Sequence, residues 1–347
     1  MKGLSPLRPL RPLRPVTRLA IAAALTVALA INPAQSFAAT AQASFASPEA
    51  AMNAFGDAVS GNNEAELRKL FGANFRQLVP PNGAQIRAAF LDQWKVSHAI
   101  QPAGENSAHI AVGSDGWTFP VPLVKNAHGW HFDMAAGAEE MRVRRIGRNE
   151  LAVIQTMLAI YDAQREYAST YHDGSDTYVY ARRLASTPGK HDGLYWPTAD
   201  DEAPSPLGEA FATAGTRMKE TSGYYGYHYK LLTSQGPHAP GGAYDYVVRG
   251  QLFGGFGVIA WPVKYGDTGI KTFMVSHDGQ VYERDLGPNS AAKAEETTSF
   301  DPGPGWKKEQ DTQADTQSGT SSGAPSGTSS GTSSGTPSGA PSGTNSQ

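Results

Sequence analysis

The sequence predicts an α+β protein with an export leader, two folded segments and a low-complexity tail. Apolar residues recur at helical spacing before strand-like runs, twice along the chain, which is typical of the α+β class. From Gln317 the chain consists almost entirely of Ser, Gly, Thr, Ala and Pro, a composition that predicts disorder. The predicted divisions are a signal peptide over 1–39, a first domain over 44–135, a second domain over 138–290, and a linker with a disordered tail over 291–347.

The first 39 residues have the order of a secretory signal peptide. Basic residues precede a short apolar run over 19–31, and Asn32-Pro33 and small residues around Ala38 follow, where we expect cleavage. A membrane-spanning helix needs about 20 apolar residues, and this run is shorter. We therefore expect an exported protein, periplasmic or extracellular, without a stable membrane span after the leader is removed.

Charge and composition exclude several classes of partner and chemistry. The chain has 29 basic and 32 acidic residues, and the leader holds five of the basic residues and no acidic one. The mature chain is therefore acidic, whereas a nucleic-acid partner requires a basic surface, so none is expected. The chain has no cysteine, which excludes disulfides, thiol catalysis and thiolate zinc sites. No cofactor motif is present, and we expect no cofactor.

Three helices open the first domain. Ser47 before Pro48 is a good helix start, and Asn63 can cap a second helix. A third apolar stripe at helical spacing consists of Ile86, Phe90 and Trp94. Strand-like runs follow at 109–112, 117–124 and 129–133. This order is similar, by analogy alone, to the cone-shaped nuclear-transport-factor-2-like fold, and the analogy carries no function.

The second domain combines one long helix with an antiparallel sheet. Apolar positions at three- and four-residue spacing run from 138 to about 170, with a weak point at Gly147. Alternating and apolar runs then follow from 224 to 285. Asp278-Gly279 inside the last of them is a strong hairpin signal.

This arrangement resembles the globular part of type IV pilins and pseudopilins. Ala163, Gln164 and Tyr167 resemble the "aQ-x-x-Y" end of the pilin helix, and 269–282 resembles the closing hairpin of such domains. Filament subunits keep a long apolar N-terminal helix with a glutamate near its start, whereas the run over 19–31 is short and has no acid. The resemblance therefore implies a pilin-like scaffold and not a pilus subunit.

Nearly the whole folded part resembles a bacterial exported family known as domain of unknown function 2950. The resemblance implies no activity, because the family has none to transfer. The matching segments are Gly129-Trp130-His131-Phe132-Asp133, Arg144-Arg145-Ile146-Gly147-Arg148-Asn149-Glu150, Leu232-Thr233-Ser234-Gln235-Gly236-Pro237 with Pro240-Gly241-Gly242, and 255–266.

Polar groups that could suggest catalysis or metal binding have simpler interpretations. Ser276-His277-Asp278 has the letters of a catalytic triad, but adjacent residues at a strand end point to opposite faces, so we interpret it as a turn. Scattered histidines lack the spacing of a metal site, and the acidic run over 200–202 matches no calcium loop. We assign no catalytic residue and no metal ligand.

Two sets of residues are candidates for ligand binding. Alternation would send Tyr225, Tyr227 and Tyr229 to one face, and with Trp261 they could stack on sugars or on a partner. The alternative is a core of aromatic cross-strand pairs. The second candidate is the glycine- and proline-rich loop that contains Gln235 and His238, either a recognition loop or a rigid turn. It lacks the Lys-Ser/Thr of a nucleotide-binding loop.

The preferred hypothesis is a non-enzymatic cell-envelope binding or assembly factor on a pilin-like scaffold. Its partner would be an envelope protein or a glycan. The alternative is an envelope hydrolase that acts on glycan or peptide, with a site between the two domains. A third possibility is a structural accessory of a secretion machine, which would expose apolar area along the long helix.

Overall fold

The computed structural model describes residues 42–78, 83–170, 177–198, 204–208 and 223–309. The expected leader over 1–39 and the expected disordered tail beyond 309 lie outside these residues. The described part is α+β, as predicted. Its helices are α1 (Pro48–Ser60), α2 (Glu64–Phe71), a 3₁₀ turn (Ala73–Gln77), α3 (Ala84–Val96), α4 (Met134–Tyr167) and α5 (Ser290–Glu296).

The two largest sheets of the described residues are antiparallel, and two smaller ones have the strand orders β13-β6-β7 and β8-β9. The first has the strand order β1-β2-β3-β4, and the second has the order β14-β12-β11-β10-β5. The strands are β1 (His98–Pro102), β2 (Ser107–Val112), β3 (Leu123–Asn126), β4 (Gly129–Phe132), β5 (Tyr227–Leu232), β6 (Ser234–Gln235), β7 (Tyr244–Asp245), β8 (Val247–Val248), β9 (Gln251–Leu252), β10 (Gly257–Pro262), β11 (Lys271–Ser276), β12 (Val281–Asp285), β13 (Ser299–Phe300) and β14 (Lys307–Lys308). No helix among the residues described is both long and apolar enough to cross a bilayer.

The first sheet and helices α1 to α3 enclose an aromatic core around Phe55. Its ring lies 4.6 Å from that of Phe119 and 5.6 Å from that of Phe71, measured between centroids. The predicted caps are present, because the side chains of Ser47 and Asn63 accept hydrogen bonds from amides in the first turns of α1 and α2. Helix starts and core positions in this segment therefore follow from local sequence.

The strand predicted over 117–124 is wrong for most of its length, because β3 begins only at Leu123. Pro120 and Pro122 lack the N–H groups that a strand needs for pairing. On the N-terminal side of these prolines, an isolated bridge joins Thr118 to Ala111 of β2. The segment around Phe119 therefore packs on the core as an irregular strand.

Helix α4 is one continuous helix that contacts both the first segment of the fold and the second sheet. Asp133 caps it, and it runs for 34 residues through Gly147 without interruption. Near its start, the Arg144 guanidinium donates to the Thr118 carbonyl at 2.7 Å. Its second half contacts the second sheet, mostly through β11, with Val153 and Met157 fully buried. The helix thus ties the two segments together.

The second sheet is covered on both faces. Successive residues of β10 alternate between them, so that Val258 and Ala260 pack in the cluster beneath α4, whereas Ile259 and Trp261 pack in the cluster with α5 and β13. All six residues of β10 are consequently buried. This two-sided burial explains why the strand is a continuous apolar run and not an alternating one.

Residues 291–308 differ from the expected linker, because they form α5, β13 and β14. Ala294 and Phe300 are buried against the outer face of β10, and the Lys230 ammonium donates to the Ala294 carbonyl at 2.8 Å. β13 pairs in parallel with β6, and β14 pairs with the edge of β12. Strands of two residues show no periodicity in a sequence, so composition alone suggested a linker.

Candidate functional site

The three tyrosines predicted to share a binding face do not form one. Tyr227 and Tyr229 are buried in the cluster beneath α4, and the Tyr227 hydroxyl donates to the Lys271 carbonyl at 2.9 Å. Burial, and next the nearby Glu150 carboxylate, raises the pKa of Tyr227 far above its usual range. Tyr225 precedes β5 in a turn with φ of 50°, which breaks the alternation and leaves its side chain exposed. Two of the three side chains therefore belong to the core.

Trp261 is also unavailable as a stacking platform. It lies on the opposite face of the second sheet from the buried tyrosines and is 6% exposed beneath α5 and β13. Its ring packs 5.6 Å from the His228 imidazole, whose pKa burial lowers. The aromatic residues selected by alternation are thus divided between two sides of one sheet.

Gln235 fixes the glycine- and proline-rich loop from inside. Its side chain is buried, and its amide nitrogen donates to the carbonyls of Pro240 at 2.7 Å and Gly242 at 2.6 Å. The buried Tyr246 hydroxyl donates to its amide oxygen at 3.0 Å. Both donors of this amide, and one bond to its oxygen, are thus directed into the loop or its support, which stiffens the loop.

His238 lies at the exposed tip of the same loop and is held by Asp301. The His238 amide donates to the Asp301 carboxylate at 2.8 Å, and the ring Nδ1 lies 3.1 Å from both carboxylate oxygens. A side chain at Gly236 would collide with the Asp301 carboxyl group, so glycine is needed there. The His238 side chain is half-exposed.

An exposed aromatic ring, that of Tyr244, packs against this loop, and a second exposed ring, that of Phe253, follows strand β9. Tyr244 packs beside Gly241 and Gly254, and its hydroxyl lies 3.4 Å from Nε2 of His277. Partial burial, followed by the Asp278 carboxylate, raises the pKa of Tyr244, which keeps its hydroxyl neutral. Phe253, next to Gly254, is 57% exposed. We define the loop surface as His238, Tyr244, Phe253 and His277.

The Ser276-His277-Asp278 segment forms the hairpin turn between β11 and β12. The Ser276 hydroxyl accepts a hydrogen bond from the Asp278 amide at 3.3 Å, whereas the His277 ring packs edge-on against Tyr246. The three side chains therefore do not form a proton-transfer chain. In the part of the chain that the structure describes, no three His, Cys, Asp or Glu side chains gather as a metal site. The acidic run over 200–202 lies outside that part.

Sequence reasoning missed a cavity of about 220 Å³ in the first segment. The stripe that contains Ile86 and Phe90 predicted α3, but it did not show that Ile86 would remain exposed at an opening. A single sequence does not show the space that remains between four helices and the proline-interrupted segment around Phe119. The lining residues are Phe55, Val59, Leu67, Leu78, Gly83, Ile86, Arg87, Phe90, Trp117, Phe119, Pro120 and Met141.

Comparison with known proteins supports the family resemblance and no finer likeness. No curated protein matches the chain, and no solved structure does. The family model described as protein of unknown function (DUF2950) matches residues 42–309. That range contains both sheets, α4, the loop surface and the cavity. The chain therefore belongs to the DUF2950 family of proteins of unknown function.

Proposed function

We propose that this protein is an exported, non-enzymatic binding protein of the cell envelope that recognises a glycan through the loop surface. The observation that carries the proposal is the pair of exposed rings, Tyr244 and Phe253, beside a loop fixed by Gln235 and Asp301. The basic and apolar order of residues 1–39 supports export.

The chemistry of the loop surface suits a sugar. A sugar ring presents an apolar face and a rim of hydroxyl groups, so it needs a flat aromatic side chain and nearby polar groups. Phe253 and Tyr244 provide the first, and the His238 and His277 side chains provide the second. Because the loop is already ordered, binding would lose little conformational entropy.

The pilin-like scaffold is part of this proposal. The packing of a long helix on an antiparallel sheet supports the pilin-like part of the proposal. The side chains of Gln164 and Tyr167, which match the pilin-like motif, donate hydrogen bonds to the carbonyls of Ala181 and His191, respectively. On the outer side of α4, Val143 and Leu151 are exposed with Gly147 between them. An assembly partner would dock along that side, since residues four apart share one helix face.

The hydrolase alternative has less support at the junction of the two segments. Acid–base catalysis there would require carboxyl groups free to reach a substrate. The acids at the start of α4 are instead paired, Glu139 with Arg142 and Glu140 with Arg144. Across the junction, Asp267 is paired with Arg145.

Export predicts a processed N-terminus. We expect the protein recovered from the envelope fraction of an expressing cell to begin at residue 39 or 40. Mass spectrometry of the intact purified chain measures this directly. A chain that keeps Met1 and remains in the cytoplasm would contradict the export part of the proposal. That result would not test glycan binding by the loop surface.

Phe253→Ala and Tyr244→Ala are each expected to weaken glycan binding by about tenfold or more, because each removes one of the two flat rings of the loop surface. The measurement is isothermal titration calorimetry of the purified protein with soluble peptidoglycan fragments and envelope polysaccharides.

Tyr225→Ala is the matched control, since it removes an exposed tyrosine from the same segment but outside the loop surface. Its binding should equal that of the unchanged protein. Equal losses for Tyr225→Ala and Phe253→Ala, or no binding to any glycan in the panel, would contradict the proposal.

A further inference from the structure

The cavity of the first segment is independent of the loop surface and has a preformed apolar floor. Phe55, Leu67 and Phe119 line it and are almost fully buried. Phe55 and Phe119 belong to the tightly packed aromatic core of this segment, so the floor is fixed without a ligand. Preformed concave surfaces with few polar groups are typical of small-molecule sites.

The rim of the cavity leaves large apolar side chains in water. Ile86 is 68% exposed and Trp117 is 45% exposed, and both line the opening. Trp117 is nevertheless held in place, because the Arg144 guanidinium lies 5.9 Å from its ring centroid and is itself bound to Thr118 and Glu140. An ordered apolar rim that the described residues leave exposed favours an apolar occupant.

Arg87 gives the opening a positive charge. Within the described residues its guanidinium has a neutral hydrogen-bond partner, the side-chain oxygen of Asn62. By contrast, Arg76 pairs with Glu64 and Arg144 pairs with Glu140. An arginine fork matches a carboxylate in geometry as well as in charge. The N-terminal end of α3 at Gly83, which also lines the cavity, adds a partial positive charge to the same side.

We propose that this cavity binds a small apolar molecule that carries one carboxylate, with the apolar body on Phe55 and Phe119 and the carboxylate on Arg87. A cavity of about 150 Å³ holds benzene, so about 220 Å³ accommodates on the order of nine carbon atoms. A medium-chain aliphatic acid is the simplest ligand of this class. The site does not rest on the proposed glycan recognition, because it uses none of the residues of the loop surface.

Calorimetric titration of the purified full chain with sodium nonanoate, nonan-1-ol and sodium acetate tests the proposal. We expect nonanoate to bind with a dissociation constant on the order of 0.1 mM and acetate to show no binding. Arg87→Met should weaken nonanoate binding about tenfold and leave nonan-1-ol binding unchanged, since it keeps the apolar stem and removes the charge. Ile86→Glu, at an exposed position that folding tolerates, should weaken nonanoate binding at least as much.

Two controls make the result specific. Lys95→Met removes an exposed cation from the same helix outside the cavity and should change neither ligand's binding. Phe253→Ala, on the loop surface, should also leave nonanoate binding unchanged, so failure here and failure of the glycan proposal are distinguishable. Nonanoate binding no tighter than acetate binding would overturn the proposal. Equal losses for Arg87→Met and Lys95→Met, or for nonanoate and nonan-1-ol, would overturn the assignment of the carboxylate.

Discussion

Replacing Gly269 with alanine is expected to destabilise the protein by about 3 to 5 kcal/mol, enough to unfold a marginally stable chain. An added Cβ would overlap the hydroxyl group and ring of Tyr227, which is fully buried. The ring has no room to move, because its hydroxyl donates to the Lys271 carbonyl and lies 3.4 Å from the Glu150 carboxylate. The free-energy costs of overpacking and of losing this buried hydrogen bond would add together.

Thermal denaturation followed by circular dichroism measures the effect, with an expected fall in Tm of about 10 °C or more. Gly147→Ala is the matched control, because this glycine lies inside α4 with open space where a Cβ would go. It should stabilise the protein by up to about 1 kcal/mol, since alanine favours the helix. A change in Tm of the same sign for both variants would show that the Tyr227 contact is not the cause.

Replacing Gln164 with leucine is expected to cost about 2 to 5 kcal/mol, because it leaves two buried backbone groups without partners. The Gln164 side chain is fully buried, donates to the Ala181 carbonyl at 2.9 Å and accepts from the Ala181 amide at 2.8 Å. Leucine keeps the apolar volume and removes both hydrogen bonds. The loss should appear first as faster amide hydrogen exchange around Ala181.

Gln155→Leu provides the comparison for this variant. Gln155 lies on the same helix with its side chain exposed, so its replacement should change the free energy of unfolding by less than about 0.5 kcal/mol. Urea denaturation gives both values. If Gln164→Leu proved as stable as Gln155→Leu, Gln164 would not be fixing the segment over 177–198 to α4.

Most of the fold could be predicted because its signals are local. Helix caps such as Ser47 and Asn63 and the apolar repeat of α4 depend on neighbours within one or two turns, and these predictions are confirmed. The pairing of β13 with β6 and of β14 with β12 depends on contacts between distant residues in strands of two residues. Such strands contain too few positions for a period, so the sequence alone predicts a linker over residues 291–308.

The candidate site was predictable only in part, for the same reason. Clustered glycine and proline marked the loop that contains His238, but nothing local identifies Asp301 as its support, 63 residues away. Alternation also predicts the wrong environment for Tyr225. This residue has a left-handed backbone conformation, and the regular alternation of β5 begins only at Tyr227. The cavity was missed because it is a space between elements, and sequence patterns describe the elements.

The contact between His238 and Asp301 also sets the order in which the protein can mature. A ribosome adds residues from the N-terminus, so the first segment and α4 are complete long before Asp301 is made. Gln235 and Tyr246 can fix the inner side of the loop early, but the contact that holds His238 must wait for 63 further residues. Closing so long a loop is entropically slow, and the parallel pairing of β13 beside it adds a second late step. His238 therefore acquires its final position late, when nearly all of the folded region has been synthesised.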